Sequence, residues 1–373
     1  MSTRLDKVID KAIADGRITG AAVMIMKDGK PDYERMAGFA DKEHERPVTR
    51  DTIFRLASVT KPFVATTALA MVDKGLLALD QPVRDILPYF TPKTADGRTP
   101  VITVRHLLTH TAGFTYGATP ADRYPPEARV EEGLGPGGLT FEESFTRLAA
   151  VPLVYEPGTQ WIYSTAIDVL GAVISKAAGT TLHDALRAHV AGPLGLKDTG
   201  FHVTDTERLA TPYADAKPKP VRMKDPHVVV STDGEAVTFS PGRIFDPNAF
   251  QSGGAGAVST PTEVMTFLEA MRTGDKGILS PALARAALVN QIGSIPRPAE
   301  DAGQRFTFIG AVIEDPDLSA KPLPKNALQW GGVYGHSWAI DPDGGMTILI
   351  MTNNAVEGCL GRFPTDIFRA IYY

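Results

Sequence analysis

Cysteine is nearly absent: Cys359 stands alone among 373 residues, which excludes an intramolecular disulfide and any metal centre built on a cysteine cluster. An isolated thiol of this kind reads as a small, buried apolar residue. An excess of positive charge is missing too. The 38 Lys and Arg are outnumbered by 43 Asp and Glu, giving a net charge of −5, so neither nucleic acid nor a membrane surface is expected as a partner, since both demand a basic footprint. Long apolar runs are also lacking. Stretches such as Ala21-Ala22-Val23-Met24-Ile25-Met26 and Ile348-Leu349-Ile350-Met351 have the length of strands and are far too short to span a bilayer. The first residues, Met1 to Lys7, have neither the apolar core nor the small-residue cleavage site of a secretory signal, so cytoplasmic residence is expected. What remains is ordinary globular composition, 43% apolar and 22% charged, in a chain long enough for two lobes. Small-molecule chemistry is the expectation.

The chain opens on an amphipathic helical pattern. Residues 20–38 then read as a hairpin turning at Asp28-Gly29, and Gly335 to Thr352 as a second hairpin turning at Asp341-Pro342-Asp343-Gly344-Gly345. Between them, residues 101–200 are mostly helical in pattern. The natural assembly pairs the terminal strands in one antiparallel sheet and inserts a helical lobe. Residues 115–139, rich in Gly and Pro, read as a loop at a pocket rim, and Lys217-Pro218-Lys219-Pro220-Val221-Arg222 as a solvated loop. Ser252-Gly253-Gly254-Ala255-Gly256-Ala257 permits close backbone approach, or equally a tight turn, ahead of a helix opened by the capping box Thr260-Pro261-Thr262-Glu263.

One short motif carries chemistry. Ser58-Val59-Thr60-Lys61 places a hydroxyl and an amine three residues apart, on one face of a helix. A serine attacks acyl groups only when a neighbouring base takes its proton, and a lysine kept neutral by burial can be that base. Pro62 belongs in a first turn, so the helix is expected to open at about Ser58 to Thr60, with Lys74-Gly75 closing it. The serine then meets the free N–H groups and positive dipole of a helix start, where an oxyanion is stabilised. Taken alone, the same four residues also describe a capping serine followed by a snorkelling lysine.

Three further stretches follow in order: Leu107-Leu108-Thr109-His110-Thr111-Ala112-Gly113, then Glu156-Pro157-Gly158-Thr159-Gln160-Trp161-Ile162-Tyr163-Ser164-Thr165, then Gln329-Trp330-Gly331-Gly332-Val333-Tyr334-Gly335-His336. With the Ser58 motif they resemble the serine β-lactamase and penicillin-binding-protein superfamily, and within it the family VIII carboxylesterases, along nearly the whole chain. The resemblance implies a β-lactamase-like α/β (α+β) fold: an antiparallel sheet of N- and C-terminal strands flanked by helices, with an inserted, mainly helical domain. Its expected bounds are 1–85 and 200–373 for the α/β domain and 86–199 for the helical one, with the active site between them. It also implies Ser58 as the acylated nucleophile, with Lys61 and Tyr163 as its proton-transfer pair, since a neighbouring ammonium favours the phenolate. The backbone N–H groups of Ser58 and Val333 are the implied oxyanion hole. Trp330, Gly331, Gly332, Thr165 and His336 are the implied substrate-binding residues. The implied substrate is a small ester, hydrolysed without cofactor or metal, with β-lactam, D-peptide and acyl-transfer chemistry as alternatives on the same machinery and a non-catalytic ligand-binding protein as the outlying one. Oligomeric state is left open.

Two departures from the β-lactamase pattern favour esters. Trp330-Gly331-Gly332 stands where a Lys-Thr-Gly triad grips the drug's carboxylate, and losing that charge-assisted contact, worth about 1.5–3 kcal/mol, weakens β-lactam binding roughly tenfold or more. Thr165 stands where an asparagine would hold an acylamino side chain. Trp330 offers instead a flat apolar wall, or is simply a strand tryptophan packed in the sheet. His336 lines the pocket or is a satisfied structural histidine. Gly335-His336-Ser337-Trp338-Ala339 lacks the last glycine of a nucleophile elbow, so Ser337 is expected as a strand residue. His106 and His110 have the spacing of a helical metal pair, with no acidic residue between them, so no metal is expected.

Overall fold

The computed structural model describes residues 1–116, 130–230 and 236–373. Most of the expected rim loop over 115–139 thus lies outside the described residues. The central sheet has eight strands, in the spatial order Gln304–Phe306, Ala311–Ile313, Leu328–Gly332, His336–Asp341, Met346–Thr352, Gly20–Lys27, Lys30–Asp41 and Arg46–Pro47. Every neighbouring pair is antiparallel. Both hairpins form, and the first strand joins them by pairing with the last long one, Val23 opposite Ile350.

Alternation along these strands separates two cores. Val23, Ile25, Ile348 and Ile350 face one side, where Leu5 and Ile9 of the helix Ser2–Ala14 and Phe363 and Ile367 of the helix Arg362–Tyr372 cover them. Ala22, Trp338, Leu349 and Met351 face the other, larger core, shared with the helices Thr60–Asp73 and Pro261–Thr273. The helix Thr60–Asp73 is buried on all sides from Thr60 to Met71, as suits a rod with almost no charged face, and its Phe63 stacks on Phe267 at 3.9 Å between ring centroids.

The segment between the two ends of the sheet contributes short helices: Val104–Leu108, Phe141–Ala149 and Ala166–Ala178. Reciprocal caps start the first two, Thr103 with His106 and Thr140 with Glu143, and Gly179 at φ +66° ends the third. Val221–Arg222 departs from the expected loop: it pairs with Tyr213–Ala214 as a short strand, though both residues stay exposed. Among the described residues no helix is long and apolar enough to cross a membrane, and no group of three or more His, Cys, Asp or Glu could hold a metal ion.

Candidate active site

Ser58 lies in a single 3-10 turn, Ala57–Val59, that leads straight into the helix at Thr60. The expected helix start is therefore met, with Pro62 in the first turn. Two short strands, Phe54–Arg55 and Val258–Ser259, hold the approach to this turn, and Thr60 Oγ1 accepts a hydrogen bond from Ala257 N at 3.1 Å. Ala57, just before the serine, has φ +45°, a left-handed conformation that costs an alanine of order 1 kcal/mol and persists only where surrounding structure imposes it.

Lys61 is buried with its ammonium turned back toward the serine. Nζ donates to Ser58 Oγ at 3.2 Å and to Gly254 O at 2.8 Å. The expected close approach at Ser252 to Ala257 is present: a Cβ on Gly253 would stand 2.4 Å from Ile167 O, and one on Gly254 2.4 Å from Asp168 Oδ2. Lys61 Nζ also lies 4.6 Å from the centroid of the Tyr163 ring, which brings the three residues of the implied catalytic set together.

Tyr163 is one member of an aromatic wall. Its ring centroid is 5.1 Å from that of Trp330, 5.2 Å from Tyr116 and 4.9 Å from His110. Trp330 also meets Phe306 edge to face at 5.4 Å, and the Arg297 guanidinium lies 4.3 Å from the Trp161 centroid behind the same wall. Burial lowers Arg297 to about 10, and its ion pair with Asp301 at 2.7 Å opposes that shift, so it stays cationic at neutral pH.

Gly332 brings the strand Leu328–Gly332 against the turn that carries Ser58. A Cβ there would lie 2.2 Å from Leu56 O and 3.3 Å from Ser58 N, so only glycine permits this approach, and the next residue, Val333, packs against the small apolar cluster that includes Ala57. Gly331 faces the opposite way, with its Cβ position 2.8 Å from Cys359 Sγ.

Two residues expected to touch substrate sit too deep to do so. Thr165 is 0% exposed, at the residue just before the helix Ala166–Ala178, where its side chain makes no capping hydrogen bond. His336 is 1% exposed, its Nε2 donates to Arg55 O at 2.8 Å, and its ring packs edge to face on Phe54. Ser337 is a strand residue whose hydroxyl donates to Gly358 O. Both histidines of the apparent metal pair have their Nδ1 taken by backbone donors, His106 by Thr103 N and His110 by Ser164 N.

Burial pulls His336 down to about 4 from the ordinary 6.5, so the folded protein keeps it neutral. The unfolded chain binds that proton below about 6.5, so the stability due to the neutral ring is fully present above that pH and is lost as pH falls toward 4. Asp215, raised to about 6 by burial, works in the opposite direction, so the effect is read as a difference between two proteins. Between pH 7.5 and 4.5, wild type should lose roughly 2–3 kcal/mol more unfolding free energy in urea than His336→Gln. Parallel pH dependence in the two would show that the ring is not held neutral.

A half-buried serine bonded to a buried lysine at a helix start, with a tyrosine over the ammonium and a glycine strand against the serine, defines a serine acyl-transfer class, and the chain belongs to the Beta-lactamase family, which it matches over residues 5–360. It is 42% identical to Esterase EstB of Burkholderia gladioli over 375 residues, covering 100% of this chain and 95% of that one. The solved structure of EstCE1, described as a hydrolase with promiscuous acyltransferase activity, superposes with a TM-score of 0.93 at 40% identity, covering 100% of this chain and 98% of that one. A Lovastatin esterase of Penicillium rubens is 26% identical, covering 98% of each chain.

Proposed function

We propose that this protein is a serine carboxylesterase that cleaves small esters through an acyl-enzyme on Ser58. The observation that carries the reading is the Lys61 Nζ bond to Ser58 Oγ at 3.2 Å beneath the Tyr163 ring. Ser58 Oγ attacks the ester carbonyl carbon while its proton passes to the Lys61–Tyr163 pair, and the oxyanion that forms is held by Ser58 N–H and Val333 N–H. Collapse breaks the bond to the alcohol oxygen, which leaves with the proton. Water then attacks the acyl carbon, restoring Ser58 and releasing the carboxylic acid.

Trp330 supplies the wall against which the acyl or alcohol portion packs, and Trp330-Gly331-Gly332 brings no cation or hydroxyl to grip a carboxylate. Uncharged esters fit this lining better than β-lactams. We place the site between an α/β domain, 1–85 with 200–373, and a helical domain, 86–199, in a cytoplasmic enzyme. Acyl transfer to an alcohol in place of water is the second reading, favoured by the promiscuous acyltransferase activity described for EstCE1. Parallel assays with a p-nitrophenyl ester series and a chromogenic cephalosporin test the assignment. Short esters should turn over with kcat/KM at least about tenfold above the cephalosporin, whereas faster β-lactam opening would overturn the reading of Trp330.

A further inference from the structure

The residue that ties the catalytic set together is one the motifs do not mark. Asp168 is completely buried on the first turn of the helix Ala166–Ala178, three residues past Thr165 and five past Tyr163. Its Oδ1 accepts from Gly254 N at 3.0 Å and from the Ser252 hydroxyl, and the same Ser252 oxygen accepts from Ala255 N at 2.9 Å. Gly254 is the residue whose carbonyl holds the Lys61 ammonium at 2.8 Å. A continuous path of hydrogen bonds therefore runs from the helix that begins beside Tyr163, through one carboxylate and one loop, to Lys61 and Ser58.

We infer that Asp168 is a positioning residue: by anchoring Gly254 it fixes where the Lys61 ammonium sits relative to Ser58 and Tyr163. The inference rests on the esterase reading above. A buried carboxylate is costly unless donors or an opposite charge surround it. Burial pushes Asp168 up, and Lys61, Ser252, Gly254 and Arg243 each oppose that shift, so three of the groups that stabilise the carboxylate belong to the path it anchors. The loop is packed to the limit, because any Cβ on Gly254 would overlap Asp168 Oδ2. A lysine chain with several rotatable bonds has no fixed ammonium position unless an acceptor defines one, and misplacing a reacting group by about 1 Å costs on the order of 10²-fold in rate.

The test is steady-state hydrolysis of a p-nitrophenyl ester by the full chain. Asp168→Ala should lower kcat about tenfold or more with KM within about twofold, since substrate does not touch this residue. Asp168→Asn, whose amide oxygen accepts the same two bonds, should recover most of the loss. Gly254→Ala, which displaces the loop from the other side, should lower kcat similarly, and it serves as the reading if Asp168→Ala does not fold. Wild-type kcat in Asp168→Ala or in Gly254→Ala overturns the inference, as does an Asn variant no better than the Ala variant. In each of those cases wild type still hydrolyses the ester and the proposed function stands. Absence of hydrolysis by wild type itself would overturn both.

Discussion

Ser58→Ala is expected to reduce ester hydrolysis by on the order of 10⁴-fold or more, because it deletes the hydroxyl proposed above to form the acyl-enzyme. Lys61→Ala and Tyr163→Phe should approach the same floor. Residues that act as one unit lose function together, and here the unit is visible: Nζ lies 3.2 Å from Ser58 Oγ and 4.6 Å from the centre of the Tyr163 ring. The double variant Ser58→Ala/Lys61→Ala should then be scarcely worse than Ser58→Ala alone. Measured as kcat/KM on one ester, wild-type turnover by Ser58→Ala would refute the assignment of the nucleophile, and full additivity in the double variant would refute the coupling.

The second large effect is expected at Gly332, which makes no chemical contribution of its own. A methyl at this position meets Leu56 O at 2.2 Å and Ser58 N at 3.3 Å, and both are main chain, so neither can rotate away. The strand Leu328–Gly332 must move off the turn that carries Ser58, taking with it Val333, whose N–H is proposed above as an oxyanion donor. Gly332→Ala should therefore cut kcat/KM by roughly 10²-fold, in line with about 1 Å of misplacement, and lower stability by about 1–3 kcal/mol through overpacking. A kcat/KM close to wild type would show that the strand does not need this approach. Urea midpoints measured in parallel separate the catalytic loss from unfolding.

The sheet was legible where its strands are long. Val23, Ile25, Ile348 and Ile350 alternate with residues of the opposite face, and Asp-Gly turns punctuate both hairpins. Strands of two or three residues are too short to show a period: Phe54–Arg55 and Val258–Ser259 pair with each other across a long stretch of sequence, and Ala311–Ile313 is carried by the longer Leu328–Gly332. The nucleophile and its lysine are one local motif, readable from spacing and Pro62. Tyr163 and Trp330 lie far along the chain and are joined to Ser58 only by the fold, so they were reached through the resemblance. Thr165 and His336 show the limit of that route: both neighbour site residues in sequence, but the helix start and the strand's alternation turn their side chains inward. Asp168 gave no signal because its partner Ser252 is 84 residues away and its role exists only once the loop is folded.

An acyl-enzyme on Ser58 requires a serine that a fluorophosphonate probe will label, and the adduct is mapped by intact-mass and peptide mass spectrometry. One phosphonyl group per chain, placed on the peptide that contains Ser58 and absent from Ser58→Ala, is the predicted result. An unlabelled protein, or a label carried by any other residue, would contradict it.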